Sequence, residues 1–219
     1  MAKTIGVVLA GCGVIDGAEI HEAVLTLLAL DRAGVRVVCM APNIDQMHVV
    51  NHAKGEPAAG ERRNVLVEAA RIARGDIIDI AKARGVDLDG LIFAGGFGAA
   101  KNLCDYAVRG EKMKVHPEVE RLILEMHGAN KPIGFMCIAP VIAAKTLGKM
   151  KVRLTIGTDD ATARDIVALG AIHEPHQANE ICVDKAMRVV STPAYMTARR
   201  ISEAAEGIEK LVREVLAMA

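Results

Sequence analysis

Short apolar runs alternate with helix-like stretches along nearly the whole chain, and several of the runs end in a glycine- or cysteine-bearing turn. This alternation is the feature that most restricts the fold. Thr4-Ile5-Gly6-Val7-Val8-Leu9 is closed by Gly11-Cys12-Gly13, and residues 19–33 carry Ile20, Val24, Leu27 and Leu28 at helical spacing before a C-capping Gly34. Residues 35–40 read as a second strand ended by Pro42. Residues 90–94 form another, ending at Gly95-Gly96-Phe97-Gly98, and residues 133–136 lead into Cys137. Residues 153–156 read as a further strand, residues 181–183 and 188–190 as a hairpin, and residues 198–218 as a closing amphipathic helix. Residues 77–80 fit either a short strand or a helical turn. Asn64 and Asp159 stand as N-caps, and Pro117 opens a helix. Strands alternating with helices imply an α/β fold, a mostly parallel central sheet with helices on both faces. In such sheets the ligand site lies outside the carboxyl ends of the strands.

Composition narrows the function. The 219 residues suit one domain, and 52% are hydrophobic but only 2% aromatic, so the core is aliphatic. Aromatic stacking platforms for single-stranded nucleic acid are excluded on that count. Lys+Arg and Asp+Glu are equal at 27 each, which removes electrostatic support for nucleic-acid or membrane-surface binding. No secretory signal and no 18-residue apolar run is recognisable, so no membrane span is expected. Five irregularly spaced cysteines with no C-x-x-C pair argue against a disulfide framework and a structural metal site, and a reducing cytoplasm is the expected location.

Cys137 carries the strongest chemical signal. It follows an apolar strand and precedes Ile138-Ala139-Pro140 and a helical stretch, the layout of a nucleophile on a sharp strand-to-helix turn. The helix N-terminus behind it predicts a depressed thiol pKa. Phe135, two residues earlier, is bulkier than such turns ordinarily take, which predicts a less regular turn. A buried core cysteine is the bland alternative. Gly95 and Gly96 let backbone N–H groups approach a substrate oxygen, and with the N–H of Ile138 they would form an oxyanion hole. Gly11-Cys12-Gly13 resembles the start of a dinucleotide fingerprint, but Asp16 stands at its sixth position, so no nucleotide cofactor is expected. A carboxylate on the first helix could share a proton with the thiol, and the residues alone leave Glu19 and Glu22 open. His48 and His52, in the long polar loop of residues 43–63, and His173 and His176 could approach the site. Cys12 is read as a packed residue or a site wall.

Several of these stretches resemble the DJ-1/PfpI superfamily of class I glutamine amidotransferase-like proteins. They are Ile5–Leu9, Gly17-Ala18-Glu19-Ile20-His21-Glu22-Ala23-Val24, Phe93-Ala94-Gly95-Gly96-Phe97-Gly98 and Cys137-Ile138-Ala139-Pro140, in the family's order and spacing. The longer motifs from Ala10 to Glu22, from Gly96 to Asn102 and from Thr155 to Asp159 look like its ElbB branch, named for enhanced lycopene biosynthesis and described as a glyoxalase. The resemblance implies a flavodoxin-like three-layer sandwich over residues 1–219 as a single domain. It matches Cys137 to the nucleophile, Glu22 rather than Glu19 to the conserved acid, and Gly96 and Ile138 to the oxyanion donors. It implies a cofactor-independent glyoxalase III-type lyase that takes glyoxal or a similar small 2-oxoaldehyde to the 2-hydroxy acid through a cysteine hemithioacetal, without a metal, and working as a homodimer. Two other readings stand beside it: a non-enzymatic redox-sensing or interaction protein with a reactive cysteine, and an amidotransferase-like amidase subunit. Protease-like relatives place a His after the nucleophile, where Ile138 stands here, and His173-Glu174 with His176 lacks the His-x-Glu spacing of amidotransferases.

Overall fold

The computed structural model describes residues 3–219. In chain order its strands are β1 (Thr4–Val8), β2 (Arg36–Ala41), β3 (Val50–Asn51), β4 (Glu56–Pro57), β5 (Ile77–Asp79), β6 (Gly90–Phe93), β7 (Ile133–Met136), β8 (Arg153–Leu154), β9 (Ile172–His173), β10 (Cys182–Asp184) and β11 (Val189–Thr192). Its helices are α1 (Ile20–Arg32), α2 (Val65–Ile72), α3 (Phe97–Lys101), α4 (Tyr106–Arg109), α5 (Pro117–Gly128), α6 (Pro140–Leu147), α7 (Asp160–Ala168) and α8 (Ile201–Met218).

Seven strands form the central sheet in the order β10-β11-β7-β6-β1-β2-β5. Every neighbouring pair is parallel except the β10–β11 hairpin. Strands β6, β7 and β11 are buried along their whole length, as expected of central parallel strands covered on both faces. The aliphatic core continues from the sheet into α5, α6 and α8. Phe93 and Phe135, two of the three phenylalanines, stack at 4.8 Å between ring centroids on adjacent β6 and β7.

The caps behave as their residue types dictate. Asn64 and Asp159 accept hydrogen bonds from the backbone N–H of Val67 and Thr162 at 3.1 and 2.8 Å. Gly34, at φ 67°, leads the chain out of α1. Residues 77–80 resolve into the edge strand β5 and one tight turn.

Three expectations fail. Residues 153–156 do not join the central sheet, because β8 is only two residues long and pairs with β9 alone. The long loop of residues 43–63 holds the small β3–β4 hairpin. Most of the apolar stripe of α1 does not face the core: Ile20, Val24 and Leu28 are 42%, 48% and 40% exposed and only Leu27 packs half-buried against it, whereas Glu22, Ala23, Thr26 and Leu30 are buried. The helix turns its small and polar positions inward, and that rotation delivers Glu22 to the end of the sheet.

Candidate active site

Cys137 occupies the single residue position between β7 and the turn into α6. Its φ is 58°, in the left-handed region that a non-glycine residue adopts only when its surroundings enforce it. They do so here: its N–H donates to the carbonyl of Thr192 at the end of β11 at 3.0 Å, and Pro140 opens α6 three residues on. The turn accommodates Phe135, whose ring is wholly buried in the stack with Phe93. The side chain is tied into β7's core face and leaves the turn free.

Glu22 is fully buried, and its carboxyl is held from two sides. The N–H of Gly95 donates to Oε2 at 3.0 Å and the N–H of Tyr195 to Oε1 at 3.2 Å. Its own N–H donates to the Glu19 carboxylate at 2.7 Å, which makes Glu19 the N-cap of α1. Thr26, one turn on, donates to the carbonyl of Glu22 at 2.7 Å and lies 3.7 Å from the Met136 sulfur, seating this turn of α1 against β7. Burial lifts the Glu22 carboxyl from an ordinary 4.5 to about 8, with the Glu19 charge adding to the rise and the N–H groups of Tyr195 and Gly95 and the Cys137 thiol opposing it. The thiol is pushed well above its ordinary range by burial first and the Glu22 charge second, while the N–H groups of Gly96 and Ile138 pull the other way. The sequence-based expectation of a depressed thiol pKa therefore has the wrong sign. Desolvation and a facing carboxylate outweigh the end of an eight-residue helix.

The two glycines have separate tasks. Gly95 spends its N–H on Glu22, so it holds the acid rather than a substrate oxygen. Gly96, at φ 91°, and Ile138 have the N–H groups that favour the thiolate form of Cys137. A Cβ on Gly95 would overlap the Cys137 Cβ and the Glu22 Oε2. Gly95→Ala is expected to cost about 1–3 kcal/mol of stability through this overpacking, read as a lower urea midpoint with an unchanged slope.

The thiol opens on a cavity of about 810 Å³ lined by Gly96, Phe97, Ile138, Tyr195 and Met196 among others, and by no histidine. His48 is exposed. His52 accepts from the N–H of Ile15 at 3.1 Å and lies 3.7 Å from Asp16, tying the long loop to the first glycine turn. His173 accepts from the N–H of Ile156 at 3.4 Å, and His176 contacts the carbonyl of Glu174 at 3.1 Å. Cys12 is half-buried and lies outside the cavity lining, its thiol pushed up mainly by burial. All five cysteines are free thiols. Among the described residues, no three His, Cys, Asp or Glu side chains are grouped to hold a metal ion, and no helix is long and apolar enough to cross a membrane.

Sequence reasoning missed Tyr195, which acts through its backbone N–H and so leaves no side-chain signal. It also missed His21 as a neighbour of the site, with Nδ1 2.9 Å from the Tyr195 hydroxyl. Asn102 stands out in the sequence only as the end of the motif of residues 96–102. Its amide bonds the carbonyls of Ala10 and Asp16 at 2.9 Å each and accepts from Met47, joining the first glycine turn to α3 and the long loop.

The chain is 48% identical to glutamine amidotransferase-like class 1 domain-containing protein 3, mitochondrial, of Homo sapiens, an alignment covering 98% of this chain and 83% of the relative. It belongs to the glutamine amidotransferase-like class 1 family. No protein-family model matches it. Among solved structures, an isoprenoid biosynthesis protein with an amidotransferase-like domain from Ehrlichia chaffeensis superposes with a TM-score of 0.92 at 38% identity, over 99% of both chains. A DJ-1 superfamily protein from Agrobacterium tumefaciens shares the fold, with a TM-score of 0.58 at 16% identity over 99% of this chain and 91% of that one. The likeness to the DJ-1 superfamily structure is one of fold. The flavodoxin-like architecture expected from the motifs is the one found.

Proposed function

We propose that the protein is a cofactor-independent glyoxalase of the ElbB type, acting through Cys137 and Glu22 on glyoxal or a similar 2-oxoaldehyde. The observation that carries this reading is the buried Glu22–Cys137 pair, flanked by the N–H groups of Gly96 and Ile138, on a cavity that no histidine lines. As sulfur adds to the aldehyde carbon, Glu22 takes the thiol proton, and the new alkoxide sits against the two N–H groups. Glu22 passes that proton to the alkoxide, which gives the hemithioacetal and restores the carboxylate. Glu22 then removes the hydrogen on the sulfur-bearing carbon, and the neighbouring carbonyl oxygen gains a proton to give an enediol. Return of a proton to the second carbon yields the thioester of the 2-hydroxy acid. The first carbon is oxidised and the second reduced within one molecule, and water releases the acid and restores the thiol.

Peptidase and glutaminase chemistry fit less well, since both ordinarily draw on a histidine beside the nucleophile. The test is acid production from glyoxal, methylglyoxal and glutamine, with Cys137→Ala as control. Acid from the oxoaldehydes by the wild type but not by the variant is expected. Ammonia from glutamine, or no product from any of the three, would overturn the reading.

The reading takes residues 1–219 as one domain working as a homodimer in the cytoplasm. The exposed Ile20, Val24 and Leu28 stripe on α1 and the zero net formal charge support self-association. Light scattering is expected to return about twice the 23.2 kDa chain mass, and a monomer at micromolar concentration would rule the dimer out. The cytoplasmic location rests on five free thiols; the Homo sapiens relative is a mitochondrial protein by name.

A further inference from the structure

The cavity above Cys137 has a size and lining that a two-carbon dialdehyde does not use. At about 810 Å³ it falls in the range of roughly 300–1,000 Å³ that holds drug-sized ligands. Its walls beyond Cys137 and Ile138 include Val14, Phe97, Val108 and Met196. Three of these leave apolar surface open to solvent: Val14 is 40% exposed, Phe97 52% and Val108 61%. Their convergence on one cavity, the one that Cys137 lines, marks a place where an apolar group is taken up.

The charged groups bordering the cavity restrict that group further. Asp165 accepts a hydrogen bond from the Tyr106 hydroxyl at 2.8 Å, and Asp159 is held below its ordinary value by the N–H of Thr162. The single lysine, Lys101, gives its ammonium to the carbonyl of Ile15 at 2.7 Å and stands 5.7 Å from the centre of the Phe97 ring. Two carboxylates against one engaged ammonium disfavour an anionic substituent. Unoccupied apolar wall, by contrast, favours burial of an aryl or branched alkyl group in proportion to the area covered.

We propose that the oxoaldehyde taken by this site bears an uncharged aryl or branched alkyl group on its carbonyl carbon, seated against Val14, Phe97 and Val108 while the aldehyde carbon reaches the Cys137 sulfur. This inference rests on the glyoxalase reading and adds the identity of the substituent. The chemistry is unchanged: the substituted carbonyl carbon is the one reduced, and the aldehyde carbon the one oxidised.

The test compares kcat/KM for glyoxal, methylglyoxal and phenylglyoxal. Phenylglyoxal is expected to exceed glyoxal by about tenfold or more, chiefly through KM. Phe97→Ala and Val108→Ser should each lower the phenylglyoxal-to-glyoxal ratio several-fold. Intrinsic aldehyde reactivity cancels when that ratio is compared between wild type and variant. A wild-type ratio of one or less, or a ratio that neither variant moves, overturns the proposal. If no oxoaldehyde is turned over, the glyoxalase reading fails by itself, and the cavity is then read by protection. Acetophenone should slow iodoacetamide labelling of Cys137 more than acetone does at equal concentration, and equal protection by the two overturns the inference.

Discussion

Cys137→Ser is expected to reduce oxoaldehyde turnover by a factor on the order of a thousand or more while leaving the denaturation midpoint close to that of the wild type. The substitution keeps the strained φ of 58° and the backbone bond to Thr192, neither of which depends on sulfur. It replaces the one atom that can be deprotonated by a carboxylate titrating near 8. A serine hydroxyl holds its proton far more tightly than a thiol and has no histidine in the cavity to take it. Wild-type turnover should rise with pH through about 8, because Glu22 acts as a base only once it has lost its own proton. Alkylation of Cys137 by iodoacetamide should rise over the same range and continue upward, as burial and the Glu22 charge both hold the thiol protonated. A labelling profile already flat below neutral pH would show a pre-formed thiolate and remove Glu22 from the proton-accepting role. Serine turnover within tenfold of the wild type would remove Cys137 from the chemistry altogether.

The mostly parallel character of the sheet and the turn that carries Cys137 were legible because each depends on local pattern: continuous apolar runs, glycines where runs end, proline at the first turn of α6. The face that α1 buries was not. Periodicity reports where apolar residues cluster, and on α1 that cluster is the exposed Ile20, Val24 and Leu28 stripe, while the buried Glu22 is held by bonds to residues 73 and 173 positions away. The residues alone could not separate Glu19 from Glu22, since both lie near the helix start. The structure separates them by task, one capping the helix and the other facing the thiol. The sign of the thiol shift was misread for a related reason. A helix N-terminus is visible in a sequence, whereas complete burial beside a carboxylate appears only once β7, α1 and the Tyr195 turn have come together.

Glu22→Gln is expected to remove most turnover and also to change how stability depends on pH. The amide cannot accept the thiol proton or carry it between carbons, so kcat should fall by about 10²–10⁴-fold, the usual worth of a positioned acid–base group. The stability effect follows from the same burial. Between about 4.5 and 8 the folded protein holds a proton on Glu22 that the unfolded chain has released. Stability from this group is therefore complete below 4.5, declines as pH rises, and is gone above about 8. At about 1.4 kcal/mol per tenfold change in proton affinity, the decline is on the order of 5 kcal/mol. Glutamine does not titrate, so its urea-denaturation stability should lack that decline. His116 and His173, both held below their ordinary 6.5 mainly by burial, tilt the two curves alike and drop out of their difference. Below pH 4.5 the variant should be the less stable of the two. Its NH₂ group must face the N–H of either Gly95 or Tyr195, leaving one buried donor without an acceptor at about 1–3 kcal/mol. The two stability curves should consequently cross between pH 5 and about 8. Parallel curves across that range would mean that Glu22 is ionised in the folded protein at neutral pH, and the proton-sharing pair with Cys137 would have to be abandoned.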